Sequence, residues 1–357
     1  MSLALQTAPE KAAIPPAPTD ETQLEDALSR PTQRLCEDFA ALDGDIIVLG
    51  AGGKMGPSIA RMARRALDNA GRGDQRVLAI ARFSDPAARR LLEEAGVETI
   101  PADLSDRAQV AALPPAANVV FMAGQKFGTT DAPENTWMMN TYVPALVAER
   151  YARAKRLVAF STGCVYSNVT PASGGSREDD PTEPVGDYAN SCVGRERIFT
   201  YFAKKNQTPT TLFRLNYAID LRYGVLVDIA RKVRSGEPVD VTMGHVNVIW
   251  QGDANAQALQ ALLHAAVPPL ALNVTGAEIL SVRTLAHKFG ERFGVSPKIV
   301  GAEAPTALLS NPDHARDLLG APALPLETLI RWVGDWIAQG SRLLNKPTHY
   351  ETRDGKY

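Results

Sequence analysis

Cysteine is scarce: Cys36, Cys164 and Cys192 are the only three in 357 residues. Their odd number and wide spacing argue against a disulfide framework and against a cysteine-based zinc site. Histidine is nearly as sparse. His245, His264, His287, His314 and His349 show no ligand spacing with one another or with the cysteines, so no catalytic metal is expected. An excess of one charge is also missing. Lys and Arg number 38 against 40 Asp and Glu, a net charge of −2, which removes the electrostatic case for nucleic acid or an anionic membrane. No apolar run approaches the roughly 20 residues that span a bilayer. The opening Met1-Ser2-Leu3-Ala4-Leu5-Gln6 has neither the basic start nor the apolar core of a signal peptide, and a cytoplasmic location is expected. No internal repeat is evident.

What remains is ordinary globular material: 45% apolar and 22% charged residues, at a length that suits one large α/β unit or two domains sharing a core. The most informative stretch is Asp45-Ile46-Ile47-Val48-Leu49-Gly50-Ala51-Gly52-Gly53-Lys54-Met55-Gly56. Consecutive, largely β-branched apolar residues suit a parallel strand buried on both faces. The glycines that follow let the backbone turn tightly and approach a phosphate, and residues 57–69 read as a helix. The N–H groups and partial positive charge at its start would hold an anion. Strand, glycine loop and helix in that order open a dinucleotide-binding βαβ unit.

Residues 1–19 are rich in Ala and Pro and are expected to be loosely attached. Glu21 to Leu42 reads as two short helices broken at Pro31. Further strands are expected at residues 76–82, 97–100, 118–122 and 156–161, with helices between them and one long helix from Thr136 to Lys155. That alternation implies a parallel sheet covered on both faces. Residues 167–187 form a polar, Pro/Gly-rich loop of a length associated with function. A helix from Tyr188 to about Lys205 and a strand over 210–214 follow. Short strands and helices fill the rest, and two helices over 311–319 and 326–339 lead to a polar tail.

Several segments carry a family resemblance. Gly50-x-x-Gly53-x-x-Gly56, Asp103-Leu104, Val119 to Gly124, Asn140 in the long helix, Phe160-Ser161-Thr162-Gly163-Cys164-Val165-Tyr166, Tyr188-Ala189-Asn190-Ser191, Arg214-Leu215-Asn216 and Leu272 to Gly276 occur in this order. From about residue 45 to 295 the chain resembles the extended short-chain dehydrogenases/reductases of the NAD-dependent epimerase/dehydratase group. The resemblance implies an α/β, Rossmann-type doubly wound parallel sheet with a smaller C-terminal α/β substrate lobe. The expected division is an N-terminal extension over 1–43, an NAD(P)-binding domain over 44–216 and a mainly substrate-binding region over 217–357, from which the chain can cross back to the sheet. The implied cofactor contacts are Gly50, Gly53, Lys54, Met55, Gly56, Arg82, Asp103, Leu104, Ala123, Gly124, Asn140 and Asn216.

In that family a Tyr exchanges the proton, a Ser/Thr hydrogen-bonds the same oxygen, and a Lys one turn beyond the Tyr lowers its pKa. Tyr188 and Thr162 match the first two roles; read alone, they are a Tyr capping a helix and a Thr ending a strand. The third position departs from the pattern, because the residue four after Tyr188 is Cys192. A neutral thiol can neither lower the phenol pKa, ordinarily near 10, nor donate ammonium hydrogen bonds to a ribose. Lys126, just past a strand end in Ala123-Gly124-Gln125, is a candidate replacement as cation or acid/base, or else a solvated loop lysine. Arg195 is a second candidate, able to assist only electrostatically. Cys192 as a nucleophile is disfavoured by the lack of a nearby His and by burial.

Cofactor choice is read at the end of the second strand, where NAD enzymes favour an acidic residue. Ala81 fills that position and Arg82 follows, which leans the expectation towards NADP over NAD. Arg222, Arg231, Lys232 and Arg234 could meet an anionic substrate group or line a solvated face. The expected activity is an oxidoreductase or epimerase acting on a sugar, nucleotide-sugar or sugar-acid derivative. The alternatives are a non-catalytic NAD(P)-binding regulator or scaffold and a lyase or dehydratase with transient redox. Residues 346–350 and 353–356 have no assignable mechanism. The family's usual packing of two long helices per subunit implies a homodimer through 136–155 and 188–205.

Overall fold

The structure, a computed structural model, describes residues 15–128 and 130–356. Its central sheet has seven parallel strands: β1 (Ile46–Leu49), β2 (Val77–Ala81), β3 (Glu98–Pro101), β4 (Asn118–Phe121), β5 (Arg156–Thr162), β6 (Thr210–Leu215) and β7 (Leu270–Val274). The spatial order is β7-β6-β5-β4-β1-β2-β3. The chain therefore builds outward from β1 to β3, then returns to the other side of β1 to lay down β4. In such sheets ligands gather where the order reverses, beyond the carboxyl ends of β1 and β4.

The helices are α1 (Glu21–Leu28), α2 (Gln33–Ala40), α3 (Gly56–Asn69), α4 (Pro86–Glu94), α5 (Arg107–Ala112), α6 (Pro133–Trp137), α7 (Val143–Arg150), α8 (Gly186–Asn206), α9 (Val225–Ser235), α10 (Gln251–Gln260), α11 (Val282–Phe293), α12 (Asp313–Leu319) and α13 (Leu326–Ala338). Side chains alternate across a strand, and β1 shows it. Ile46 and Val48 enter a core with Ile59 and Ala63 of α3, whereas Ile47 and Leu49 enter the opposite core with Val143 and Val147 of α7. All four are fully buried, each contributing roughly 1.5–3 kcal/mol of apolar burial. A third core gathers α9, α11 and α13 around Trp332 and Trp336.

The N-terminal helices join these cores. Asp20 and Thr32 cap α1 and α2 through their side chains. Leu24 and Leu28 of α1 pack into the C-terminal core, while Leu35 and Phe39 of α2 pack against the sheet. Of the stretch expected to be loosely attached, residues 1–14 lie outside the described residues, and Ala17 packs against the C-terminal core.

The long helix expected from Thr136 to Lys155 differs in form. It begins at Pro133, passes through a π-helical turn at Met138–Tyr142 and ends at Arg150. Pro144 has no N–H to donate to the carbonyl four residues back, and a wider turn absorbs the missing bond. Asn140, fully buried, sits inside that turn.

Beyond α13 the tail runs back across the molecule. The Thr348 N–H and hydroxyl both donate to Asp228 of α9, at 2.8 and 2.6 Å, and the buried Tyr350 hydroxyl donates to the Asp240 carbonyl at 3.2 Å.

Candidate active site

The glycine loop lies at the sheet's reversal point. Gly50 adopts φ +92°, and a Cβ there would sit 2.6 Å from the Ala123 nitrogen, so β1 and the end of β4 touch through their backbones. A Cβ on Gly56 would lie 2.3 Å from the Ala51 carbonyl oxygen, so glycine is what lets α3 start this close to the strand. No side chain caps α3. Its first N–H groups are therefore not satisfied by a capping side chain, as an anion-binding helix start requires.

Two connected hollows extend from this loop, both lined by Gly50, Gly53, Met122 and Gly124. One, about 340 Å³, runs past Arg82, Asp103, Leu104 and Ala123. Ser105 donates to Asp103 from its backbone and its hydroxyl, at 2.9 and 2.7 Å, and holds that carboxyl below its usual range. Arg82 is exposed at the rim, and Phe83 beside it has φ +47°. This half includes the glycine loop, Arg82, Asp103 and Leu104 in one lining.

The other hollow, about 390 Å³, reaches towards the C-terminal lobe. Thr162 at the end of β5, Tyr188 in the first turn of α8, Lys126, Arg195 and Asn216 all line it. The Thr162 and Tyr188 side chains face the same hollow, and Thr162 Oγ1 accepts from the Cys164 N–H at 3.1 Å. Burial pushes the Tyr188 phenol well up, Cys192 and Cys164 add to that, and Arg195 and the neighbouring Thr162 oppose it. Cys192 itself is fully buried, its thiol pushed up to about 11, which leaves it a poor nucleophile.

Arg195 occupies the space beneath Gly124. Its Nη2 donates to Asn140 Oδ1 at 2.5 Å and its Nη1 to the Phe160 carbonyl at 2.8 Å. A Cβ on Gly124 would lie 2.4 Å from that Nη2. Asn140 Oδ1 also accepts from the Gln125 N–H at 3.0 Å, and its amide donates to the Gln125 carbonyl at 3.0 Å and to Ser191 Oγ at 2.9 Å. One buried asparagine thus ties the loop after β4 to α8 and to a guanidinium. Below them, Ser161 donates to Glu196 at 2.6 Å, and Glu196 forms a buried two-pronged pair with Arg214 at 2.9 and 2.8 Å.

Lys126 is not a solvated loop lysine. Its Nζ donates to the Thr348 carbonyl at 3.4 Å and stands 5.8 Å from the Tyr188 ring centroid, and burial lowers its pKa. Lys54 departs from its expected surroundings. Its side chain turns away from the adenosine half and lies 3.1 Å from the Tyr223 ring centroid. The four cations considered for a substrate anion do not reach the cleft. Arg222 pairs with Asp220 and Glu25, Arg231 with Glu237 and Lys232 with Glu351. Arg234 lies against Phe293. Phe127, Tyr217, Tyr223 and Thr348 also line the cleft and carried no local sequence signal, apart from Tyr217 following Arg214-Leu215-Asn216. Among the described residues no group of three or more His, Cys, Asp or Glu could hold a metal, and no helix is long and apolar enough to cross a membrane.

The model of the NAD dependent epimerase/dehydratase family matches residues 46–245. The chain belongs to that family. It is an enzyme of the epimerase/dehydratase type, and its sheet is that family's Rossmann-type α/β fold. Solved structures agree on the fold. A UDP-glucose 4-epimerase from Thermotoga maritima with UDP-glucose superposes with TM-score 0.67 at 16% identity, over 83% of this chain and 99% of that one. The Thermus thermophilus UDP-glucose 4-epimerase, in complex with NAD, gives 0.66 at 19% identity over 82% and 98%. Bordetella bronchiseptica WbmG, with NAD and UDP, gives 0.66 at 19% over 84% and 97%. No curated protein gives a significant match.

Proposed function

We propose that this chain is an NAD(P)-dependent oxidoreductase or epimerase that interconverts a secondary alcohol and a ketone on a sugar-derived substrate. Tyr188 is the acid/base, Thr162 the partner hydrogen-bonding the reacting oxygen, and Arg195 the cation standing in for the family's lysine. The observation that carries this is that Thr162, Tyr188 and the glycine loop line one cleft, with the buried Arg195 guanidinium in the same lining.

The loop and helix start fit a dinucleotide for physical reasons: the α3 start has no side-chain cap, and side chains at Gly50 or Gly56 would collide with backbone. When bound, the nicotinamide supplies the hydride acceptor or donor. The chain's own residues do the rest. Gly50, Gly53 and Gly56 with the start of α3 would hold the pyrophosphate, and Asp103 and Leu104 would meet the adenosine end. Ala123 and Gly124 would line the cofactor, Asn140 clamps the Gln125 backbone, and Asn216 lines the substrate hollow. Tyr188 moves the proton at its phenol oxygen. Because burial holds that phenol protonated, its resting state is the acid that ketone reduction needs. Alcohol oxidation requires the anion, and Arg195 is the group that favours it. Lys126, nearby but not among the main influences on the Tyr188 phenol, is left for another task.

Arg82 at the rim of the adenosine half, with Ala81 where an acid would read the ribose, supports NADP over NAD. A homodimer is supported by exposed aromatic residues on the helices expected to pair: Trp137 and Tyr142 at 38% exposure and Tyr201 at 59%. The test is to purify the protein, identify the nicotinamide cofactor it takes up, and screen sugars, sugar acids and nucleotide sugars for change in the reduced nicotinamide absorbance. Turnover with one class is expected; tight cofactor uptake with no turnover across the panel would overturn the catalytic reading.

A further inference from the structure

Proton exchange with a neutral alcohol does not call for the two lysines that face this cleft. Lys54 extends from the glycine loop, with its Nζ 3.1 Å from the Tyr223 ring centroid and 5.2 Å from that of Phe127. Lys126 reaches the same Phe127 ring at 5.7 Å and the Tyr188 ring at 5.8 Å. Two ammonium groups are thus gathered around one aromatic ring, next to the proposed acid/base.

We propose that Lys54 and Lys126 bind a compact oxyanion, a carboxylate or a phosphate monoester, carried by a small sugar-derived substrate. The inference rests on the oxidoreductase reading above and narrows its substrate class to acids or phosphates of monosaccharide size, excluding neutral sugars and nucleotide sugars.

Electrostatics supports it. Lys54 is exposed as a residue, but its ammonium lies against the Tyr223 and Phe127 rings. Desolvation, then Lys126 and Lys346, lowers its pKa to about 7. Gathering like charges where a ligand will neutralise them is a mark of binding sites. The nearest carboxylates are committed elsewhere: Asp228 accepts from the Thr348 N–H and hydroxyl, and Asp220 pairs with Arg222. Among the described residues none forms an ion pair with Lys54.

Size points the same way. The hollow of about 390 Å³ must take the nicotinamide end as well as the substrate, near the lower limit for a small-molecule site. The tail runs along one side of it, with Thr348 fixed to Asp228 and its carbonyl against Lys126. A nucleoside diphosphate would need further cations to grip it, yet Arg222, Arg231 and Lys232 are all in ion pairs. Nor is Lys54 placed to serve the cofactor's pyrophosphate, since its side chain points towards Tyr223 and away from the adenosine half.

The test is calorimetric titration of the cofactor-loaded chain with aldonates and hexuronates, monosaccharide phosphates, the matched neutral sugars, and UDP-glucose. At least one anionic class should bind ten times or more tighter than its neutral counterpart, and whether it is the carboxylates or the phosphates names the oxyanion. Lys54→Met and Lys126→Met should each remove that advantage tenfold or more with cofactor affinity unchanged, and Lys54→Arg should keep most of it. Equal binding of acids and neutral sugars, binding of UDP-glucose alone, or binding of none of them would overturn the proposal. So would a Lys54→Met variant whose defect is in cofactor affinity. The same titrations on the cofactor-free chain separate the two readings: Lys54-dependent anion binding without any cofactor uptake would sink the oxidoreductase reading and leave the oxyanion site standing.

Discussion

Replacing Arg195 with methionine tests the link between fold stability and proton transfer. The substitution removes two charge-assisted hydrogen bonds, Nη2 to Asn140 Oδ1 at 2.5 Å and Nη1 to the Phe160 carbonyl at 2.8 Å. Bonds to charged groups contribute about 1.5–3 kcal/mol each, which bounds the loss at about 3–6 kcal/mol. Part of this is recovered. Arg195 Nε is buried with no hydrogen-bond partner among the described residues, and an apolar side chain relieves the cost of holding a guanidinium there. A net destabilisation of about 2–4 kcal/mol is expected, small enough for a domain of ordinary stability to remain folded. Denaturant unfolding reads it as a lower midpoint at unchanged slope. The chemical effect has a definite sign. With Arg195 gone, a phenol already raised by burial rises further. Alcohol oxidation at neutral pH should fall steeply and its rise with pH should move to higher pH. Ketone reduction, which uses the protonated phenol, should lose much less. Arg195→Lys should restore part of both. An Arg195→Met variant with an unchanged midpoint and an unchanged pH profile for oxidation would refute the role assigned to the guanidinium.

Gly50→Ala should weaken cofactor binding by more than tenfold, because a left-handed φ of +92° and a 2.6 Å approach to the Ala123 nitrogen leave no room for Cβ. Gly71→Ala, also at positive φ but with nothing within 4 Å, is its control and should cost only about 1–2 kcal/mol of stability. Arg214→Met leaves Glu196 buried without its partner and should destabilise the fold by about 3–5 kcal/mol, with much of the loss recovered when Glu196 is made apolar as well; urea titration reads both. Arg82→Ala should raise the dissociation constant for NADPH by about tenfold, the equivalent of one charge-assisted hydrogen bond, and leave NADH nearly unchanged. A larger effect on NADH would overturn the lean towards NADP.

The parts of this molecule legible in its sequence are those in which local chemistry and tertiary environment agree. Ile46 to Leu49 read as a strand buried on both faces because every residue is apolar, and Gly50 and Gly56 read as close approaches because nothing else fits there. Thr162 and Tyr188 are legible through the order of segments around them. Arg195 is harder to place. Counting four residues from Tyr188 stops at Cys192, whereas an arginine side chain is long enough to reach back from the next turn to Asn140. The π turn that buries Asn140 depends on Pro144, whose effect falls on the carbonyl four residues earlier. The direction of Lys54 could not be read locally, since Tyr223 and Phe127 come to it from distant parts of the chain. Thr348 reaches the cleft only because Asp228 holds the tail across it. Such contacts are made by topology, and no window of sequence contains both partners.

The role of Tyr188 is tested by single-turnover kinetics of Tyr188→Phe with the cofactor bound and the substrate found by screening. Loss of the phenol should slow the redox step by about 10²–10⁴-fold, while the dissociation constant for the nicotinamide cofactor stays within twofold to threefold of the parent. A variant that turns over within a few-fold of the parent would contradict the account, because the proton would then be passing through some other group.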